Sequence, residues 1–179
     1  MSWQRWVLIV IGALLAGLGE ATFSTILPSP WRDIRPVLPV AVLFVVLGRP
    51  RAGMVWAALG GLMLDLYAIG PSPFSFARLM LTVALISLAS LSVLTNRSVY
   101  ATAMLMTLGR VVEWIVHRAA SAVSSLLFQA RMPIEPFGDL LLTVVWDVSI
   151  VTVAFIVIAS FTKRFLVTAP HGYRGYDDL

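Results

Sequence analysis

The run Arg110-Val-Val-Glu-Trp-Ile-Val-His-Arg118 puts four ionisable side chains into an otherwise apolar stretch. Arg110 and Glu113 are three residues apart, and Glu113 and His117 four apart. On a helix these three share one face, and mutual pairing is the simplest way to neutralise them. Arg118 falls about a quarter-turn away. Three more carboxylates, Glu20, Asp65 and Asp147, also lie in or beside apolar runs. A bare charge in hydrocarbon costs about 3 kcal/mol or more, so each must pair, face water or be protonated. The expected arrangement is a charge network in which Arg110 or Arg118 pairs with Asp147 or Asp65 on another helix. Such a pair fixes helix register more than it adds stability. Asp65 has a second option, capping a neighbouring helix.

Glu113 and His117 present two metal-ligand types on one face, but His171, the other histidine, lies near the C-terminus. A site needs more ligands than that, so no metal and no cofactor is expected. Serines are plentiful, yet no Gly-x-Ser-x-Gly and no His-Glu-x-x-His occurs, so the chain is not read as an enzyme.

These charges must be positioned by elements that the composition describes well. The chain has 179 residues, 59% of them apolar and 12% charged, with a mean hydropathy of +0.91. Soluble domains carry about a quarter charged residues. The low charge and long uncharged runs predict an all-α, polytopic helical bundle whose solvent is the lipid bilayer. There is no cysteine, which excludes disulfides and thiolate sites. The net charge of +4 is scattered, and without a basic run nucleic-acid binding has no support.

Six apolar segments are marked, at 6–27, 36–47, 54–69, 79–94, 100–128 and 140–161. They predict six transmembrane helices in a single domain over 1–167, followed by a polar cytoplasmic tail over 168–179. The first is too long for a signal-peptide core and is read as a retained membrane helix. The second and third are short for a span of about 20 residues, so they either cross with the help of snorkelling arginines or form a buried hairpin. The link Gly48-Arg-Pro-Arg-Ala-Gly53 reads as a compact polar turn. With the N-terminus inside, the inner loops hold Arg5, Arg49, Arg51, Arg97, Lys163, Arg164 and Arg174, and the outer ones Arg32, Arg35, Arg78 and Arg131. Positive residues favour the cytoplasmic side, which places both termini there.

Small residues recur at helical spacing. Gly53, Ala57, Gly61 and Asp65 fall four apart, as do Ala13, Gly17 and Ala21, and Gly12, Ala16 and Glu20. Stripes of this kind let backbones approach closely in lipid, where apolar burial alone gives helices no reason to associate. They are expected to serve helix packing within the bundle or the docking of a partner's helix.

The order of features resembles the MreD family of bacterial rod-shape membrane proteins. Arg35-Pro36 opens the second segment, the basic turn of Arg49 and Arg51 follows, and then come Gly60-Gly-Leu-Met-Leu-Asp-Leu66, the loop Gly70-Pro-Ser-Pro and a small-residue helix from Ala77. The motif ending in Gly-x-x-x-Asp-Leu is Gly61 to Leu66 here. The resemblance implies a non-catalytic adaptor of the cell-elongation machinery in the bacterial inner membrane. Its implied partners are an MreC-like protein and the elongation peptidoglycan synthases, with the MreB filament engaged indirectly. The family is similar in fold to the S components of ECF vitamin transporters, which gives the alternative expectation. Such a component would bind a vitamin or other small molecule among Trp31, Phe74, Phe76 and the polar face of the fifth segment.

Overall fold

The computed structural model describes residues 3–26, 35–67, 74–93, 99–128 and 137–167. Trp31, Arg32, the loop 70–73, Arg97, Arg131 and the tail with His171 and Arg174 lie outside the described residues. Those described form six helices: α1 (Trp3–Ile26), α2 (Val37–Val46), α3 (Pro50–Tyr67), α4 (Ser75–Val93), α5 (Val99–Phe128) and α6 (Phe137–Val167). Three stretches are long and apolar enough to cross a membrane: Trp3–Phe23, Val99–Val123 and Leu140–Ser160.

The core is built around α2. Its ten residues are all apolar and reach only about 15 Å, half the thickness of a hydrocarbon core. A helix that is hydrophobic all round must be buried. Val37, Leu38, Ala41 and Val42 are buried almost completely, with α1, α3, α4, α5 and α6 all packed against this helix. Polar residues elsewhere in the apolar helices turn inward on their own backbone. The buried Thr82 and Ser87 hydroxyls donate to the carbonyls of Arg78 and Val83, at 2.8 and 2.7 Å.

The link between α2 and α3 is shorter than its sequence suggests. Gly48, at φ 76°, closes α2: its N–H donates to Val45 O, and the Arg49 N–H donates to Phe44 O. This is the Schellman arrangement, for which a left-handed residue is required. The next helix then starts at once, at Pro50 rather than at Met54. Proline suits a first helical position because its missing N–H has no partner to lose. Most of the expected polar turn is therefore the first turn of α3.

The small-residue stripes all meet other parts of this chain. A Cβ built on Gly12 would meet the Trp56 ring, and one on Gly17 would lie 2.7 Å from the Gly60 carbonyl oxygen. Since 12 faces 56 and 17 faces 60, α1 and α3 run in the same direction. A Cβ on Gly53 would reach the Ala41 carbonyl oxygen at 2.8 Å, and one on Gly61 the Phe76 Cα at 2.7 Å. Ala13 and Ala57 are fully buried and Ala21 nearly so. Gly53 thus serves contact with α2 and Gly61 contact with α4, so the ladder on α3 faces two different helices. Helix packing is the use the geometry gives these residues, and the face they form is already covered.

Candidate functional site

The charges on α5 gather side chains from three other places in the chain. Arg110 donates from Nη1 to Glu113 on the same helix and from Nε to Asp147 Oδ2 on α6. The other Glu113 oxygen, Oε1, forms an ion pair at 3.3 Å with Arg78 Nε on α4. Arg78 Nη1 in turn lies 3.0 Å from His117 Nδ1. A guanidinium can only donate, so this imidazole nitrogen accepts and the ring proton sits on Nε2. The chain of contacts Asp147–Arg110–Glu113–Arg78–His117 therefore ties α6, α5 and α4 together. Asp147 is fully buried, and Arg110 and Glu113 are almost so. Three buried atoms of this chain of contacts stay without a hydrogen-bond partner among the described residues: Arg78 Nε, whose contact with Glu113 is an ion pair only, Arg110 Nη2 and Asp147 Oδ1.

A small cleft, partly open to the outside, runs along this cluster. Its lining is Arg35, Arg78, Arg110, Glu113, Trp114, His117, Leu140 and Thr143. Arg35 arrives just before α2, Arg78 in the first turn of α4, and Leu140 and Thr143 near the start of α6. The lining thus holds three guanidiniums against one carboxylate. The other two acids stand outside the lining: Asp147 behind Arg110, and Glu20 in the Coulombic reach of Arg35 and Arg110.

Glu20 and Asp65 each bond the start of a helix other than their own. Glu20 Oε2 accepts the Val37 N–H at 3.1 Å, holding the first turn of α2. Asp65 accepts the Ser75 N–H at 2.7 Å and the Phe76 N–H at 3.0 Å, one bond to each carboxylate oxygen. A helix leaves its first N–H groups without partners, and a carboxylate there satisfies them while matching the dipole. Asp65→Ala is expected to cost about 1–2 kcal/mol, the usual value of a strong cap. Asp65→Asn, which keeps one accepting oxygen, is expected to lose less. Thermal unfolding of the two variants in detergent gives that order if Asp65 is a cap; equal loss would point to its charge instead.

Of the expected network, Arg110, Glu113, His117 and Asp147 come together. Arg110 takes Asp147 rather than Asp65 as its partner. Arg118 stands apart: it is exposed, with its guanidinium 4.1 Å over the Trp114 ring, a cation–π contact one turn back on the same helix. Arg35 and Arg78, counted as loop charges in the sequence, belong to the site. Phe74 and Phe76 are exposed and do not line the cleft. Among the described residues no cluster of three or more His, Cys, Asp or Glu is placed to hold a metal ion.

Comparison with known proteins yields no matching family model, no matching curated protein and no matching solved structure.

Proposed function

We propose that this chain is a non-catalytic, multi-pass adaptor of the bacterial cytoplasmic membrane, acting in cell elongation in the manner of MreD. In this reading it holds an MreC-like protein and the elongation peptidoglycan synthases, and through them engages the MreB filament. The observation that carries the reading is the joint between α3 and α4. The resemblance rests on the motif from Gly61 to Leu66, and in the structure its two distinctive residues work as a unit. Gly61 lets the Phe76 backbone approach, and Asp65 bonds the N–H groups of Ser75 and Phe76. A short motif with a shared mechanical role is better support than a short motif alone.

A membrane setting agrees with the outward faces. Leu8 and Leu15 on α1, Leu88 and Leu91 on α4, and Val145 and Val153 on α6 are exposed, which costs nothing in hydrocarbon. Six crossings are proposed, in a bundle like that of the S components, with α2 sheathed by protein rather than lipid. Irregular or short elements are tolerated at membrane depth when protein surrounds them. Both termini are placed in the cytoplasm. Seven inner loop charges against four outer ones, Arg32, Arg35, Arg78 and Arg131, support that orientation.

Because the chain has no cysteine, single cysteines report topology directly. Arg51 and Tyr67 lie near opposite ends of α3. Tyr67→Cys is expected to react with an impermeant maleimide in intact spheroplasts, and Arg51→Cys only after permeabilisation. The reverse pattern would overturn the orientation, and labelling of both would overturn the crossing by α3. The function itself is tested by affinity purification of the tagged chain from membranes. Recovery of an MreC-like protein and an elongation synthase supports the adaptor. A large, saturable thermal stabilisation by one vitamin, with no such partners recovered, would replace it by the S-component alternative.

A further inference from the structure

We propose that the arginine-lined cleft between α4, α5 and α6 is a binding site for a phosphate group. The inference goes beyond the adaptor reading and does not depend on it.

The charge arrangement is the starting point. Taken whole, the cluster is balanced: Arg35, Arg78 and Arg110 against Glu20, Glu113 and Asp147. Its two sides are not alike, however. Only Glu113 among the acids lines the cleft, while all three arginines do. Glu113 already accepts from Arg110 and faces Arg78. The lining therefore carries more arginines than acids, with Glu20 and Asp147 outside it. A cleft lined mainly by one sign of charge, with low-dielectric walls, focuses its field on whatever enters.

The donor inventory agrees. Each guanidinium has five N–H groups in a planar fork that matches phosphate oxygens two at a time. Arg110 Nη2 is buried without a hydrogen-bond partner among the described residues, on a side chain that is 3% exposed and lines the cleft. Leaving such a donor unmet in the interior costs free energy, and an incoming oxyanion would satisfy it. The Thr143 side chain adds a hydroxyl to the lining.

Depth narrows the ligand. Leu140 marks the start of the apolar stretch of α6, and Arg78 lies in the first turn of α4. The cleft thus extends from the end of the bundle where α2, α4 and α6 begin to Arg110 at mid-length of α5, and in a bilayer that end would lie nearest the lipid phosphates. A phosphate monoester on a lipid headgroup and a free phosphate share the recognised chemistry, and the experiment separates them.

The purified full chain, in neutral detergent at fixed ionic strength, is titrated with inorganic phosphate, and in phosphatidylcholine nanodiscs with increasing phosphatidic acid. Thermal unfolding and native mass spectrometry report binding. Saturable stabilisation by at least one probe is expected, with chloride at equal ionic strength giving none. A response to phosphatidic acid alone assigns the site to lipid, and a response to inorganic phosphate assigns it to the free ion. Arg35→Gln and Arg78→Gln are each expected to weaken half-saturation at least about tenfold, the value of one charge-assisted hydrogen bond. Arg78→Lys should weaken it less, since the charge remains while the fork is lost. Arg51→Gln, at the far end of α3, should match the parent. Should Arg78→Gln fail to fold, Arg35→Gln carries the test, because Arg35 precedes α2 and belongs to none of the helices. No saturable response to either probe, or an unchanged response in Arg35→Gln, would overturn the site.

Discussion

Arg110→Met is expected to destabilise the bundle by about 3–5 kcal/mol, and adding Asp147→Leu is expected to return most of that loss. The single substitution removes the only hydrogen-bonded partner that Asp147 has among the described residues. It leaves a fully buried carboxylate facing an apolar side chain. Glu113 suffers less, because Arg78 still faces its other oxygen at 3.3 Å. Removing the stranded acid takes away the penalty and fills its space. Asp147→Leu alone is expected to cost less than Arg110→Met, since Arg110 keeps Glu113. Reversible unfolding in mixed micelles, followed by tryptophan fluorescence, measures all three proteins. A double variant no more stable than Arg110→Met would show that Asp147 is not held by Arg110.

The same cluster shows what the chain's letters could convey. The face of Arg110, Glu113 and His117 follows from spacing within one helix, and it was legible. The choice of Asp147 over Asp65 was not, because it depends on which helices become neighbours, and nothing in a sequence window fixes that. Arg78 was hidden for a related reason. Apolar residues mark the fourth segment from Leu79, but the helix begins at Ser75, where Asp65 holds its first N–H groups from ten residues upstream. Hydropathy reports where a chain meets an apolar surround, whereas a helix starts where its unpaired N–H groups find partners. The start of α3 at Pro50, amid two arginines, has another origin, proline's fit to a first helical position. The all-helical architecture, by contrast, follows from long apolar runs alone, since a backbone in an apolar surround must bond to itself.

The glycines divide into those the packing needs and those it does not, and alanine separates them. Gly17→Ala and Gly61→Ala are each expected to destabilise by about 1–3 kcal/mol, the range for overpacking a tight contact. At Gly17 the new methyl would lie 2.7 Å from the Gly60 carbonyl oxygen and 2.7 Å from Met63 Cβ. At Gly61 it would lie 2.7 Å from Phe76 Cα and 3.2 Å from the Ser75 carbonyl oxygen. These obstacles are mostly backbone, so only movement of a whole helix relieves them, and at Gly61 that movement would pull α4 from its Asp65 cap. Gly12→Ala meets the Trp56 ring at 2.9 Å, a side chain that can turn, and is expected to cost less. Gly19→Ala has only an ordinary contact at 3.9 Å, and Gly138→Ala has nothing within 4 Å. Those two should gain up to about 1 kcal/mol from the better helix propensity of alanine. Thermal unfolding of the five variants under one detergent condition gives the ranking. If Gly17→Ala and Gly61→Ala unfold with the parent while Gly19→Ala does not, the close approach of α3 to α1 and α4 is not what holds this bundle together.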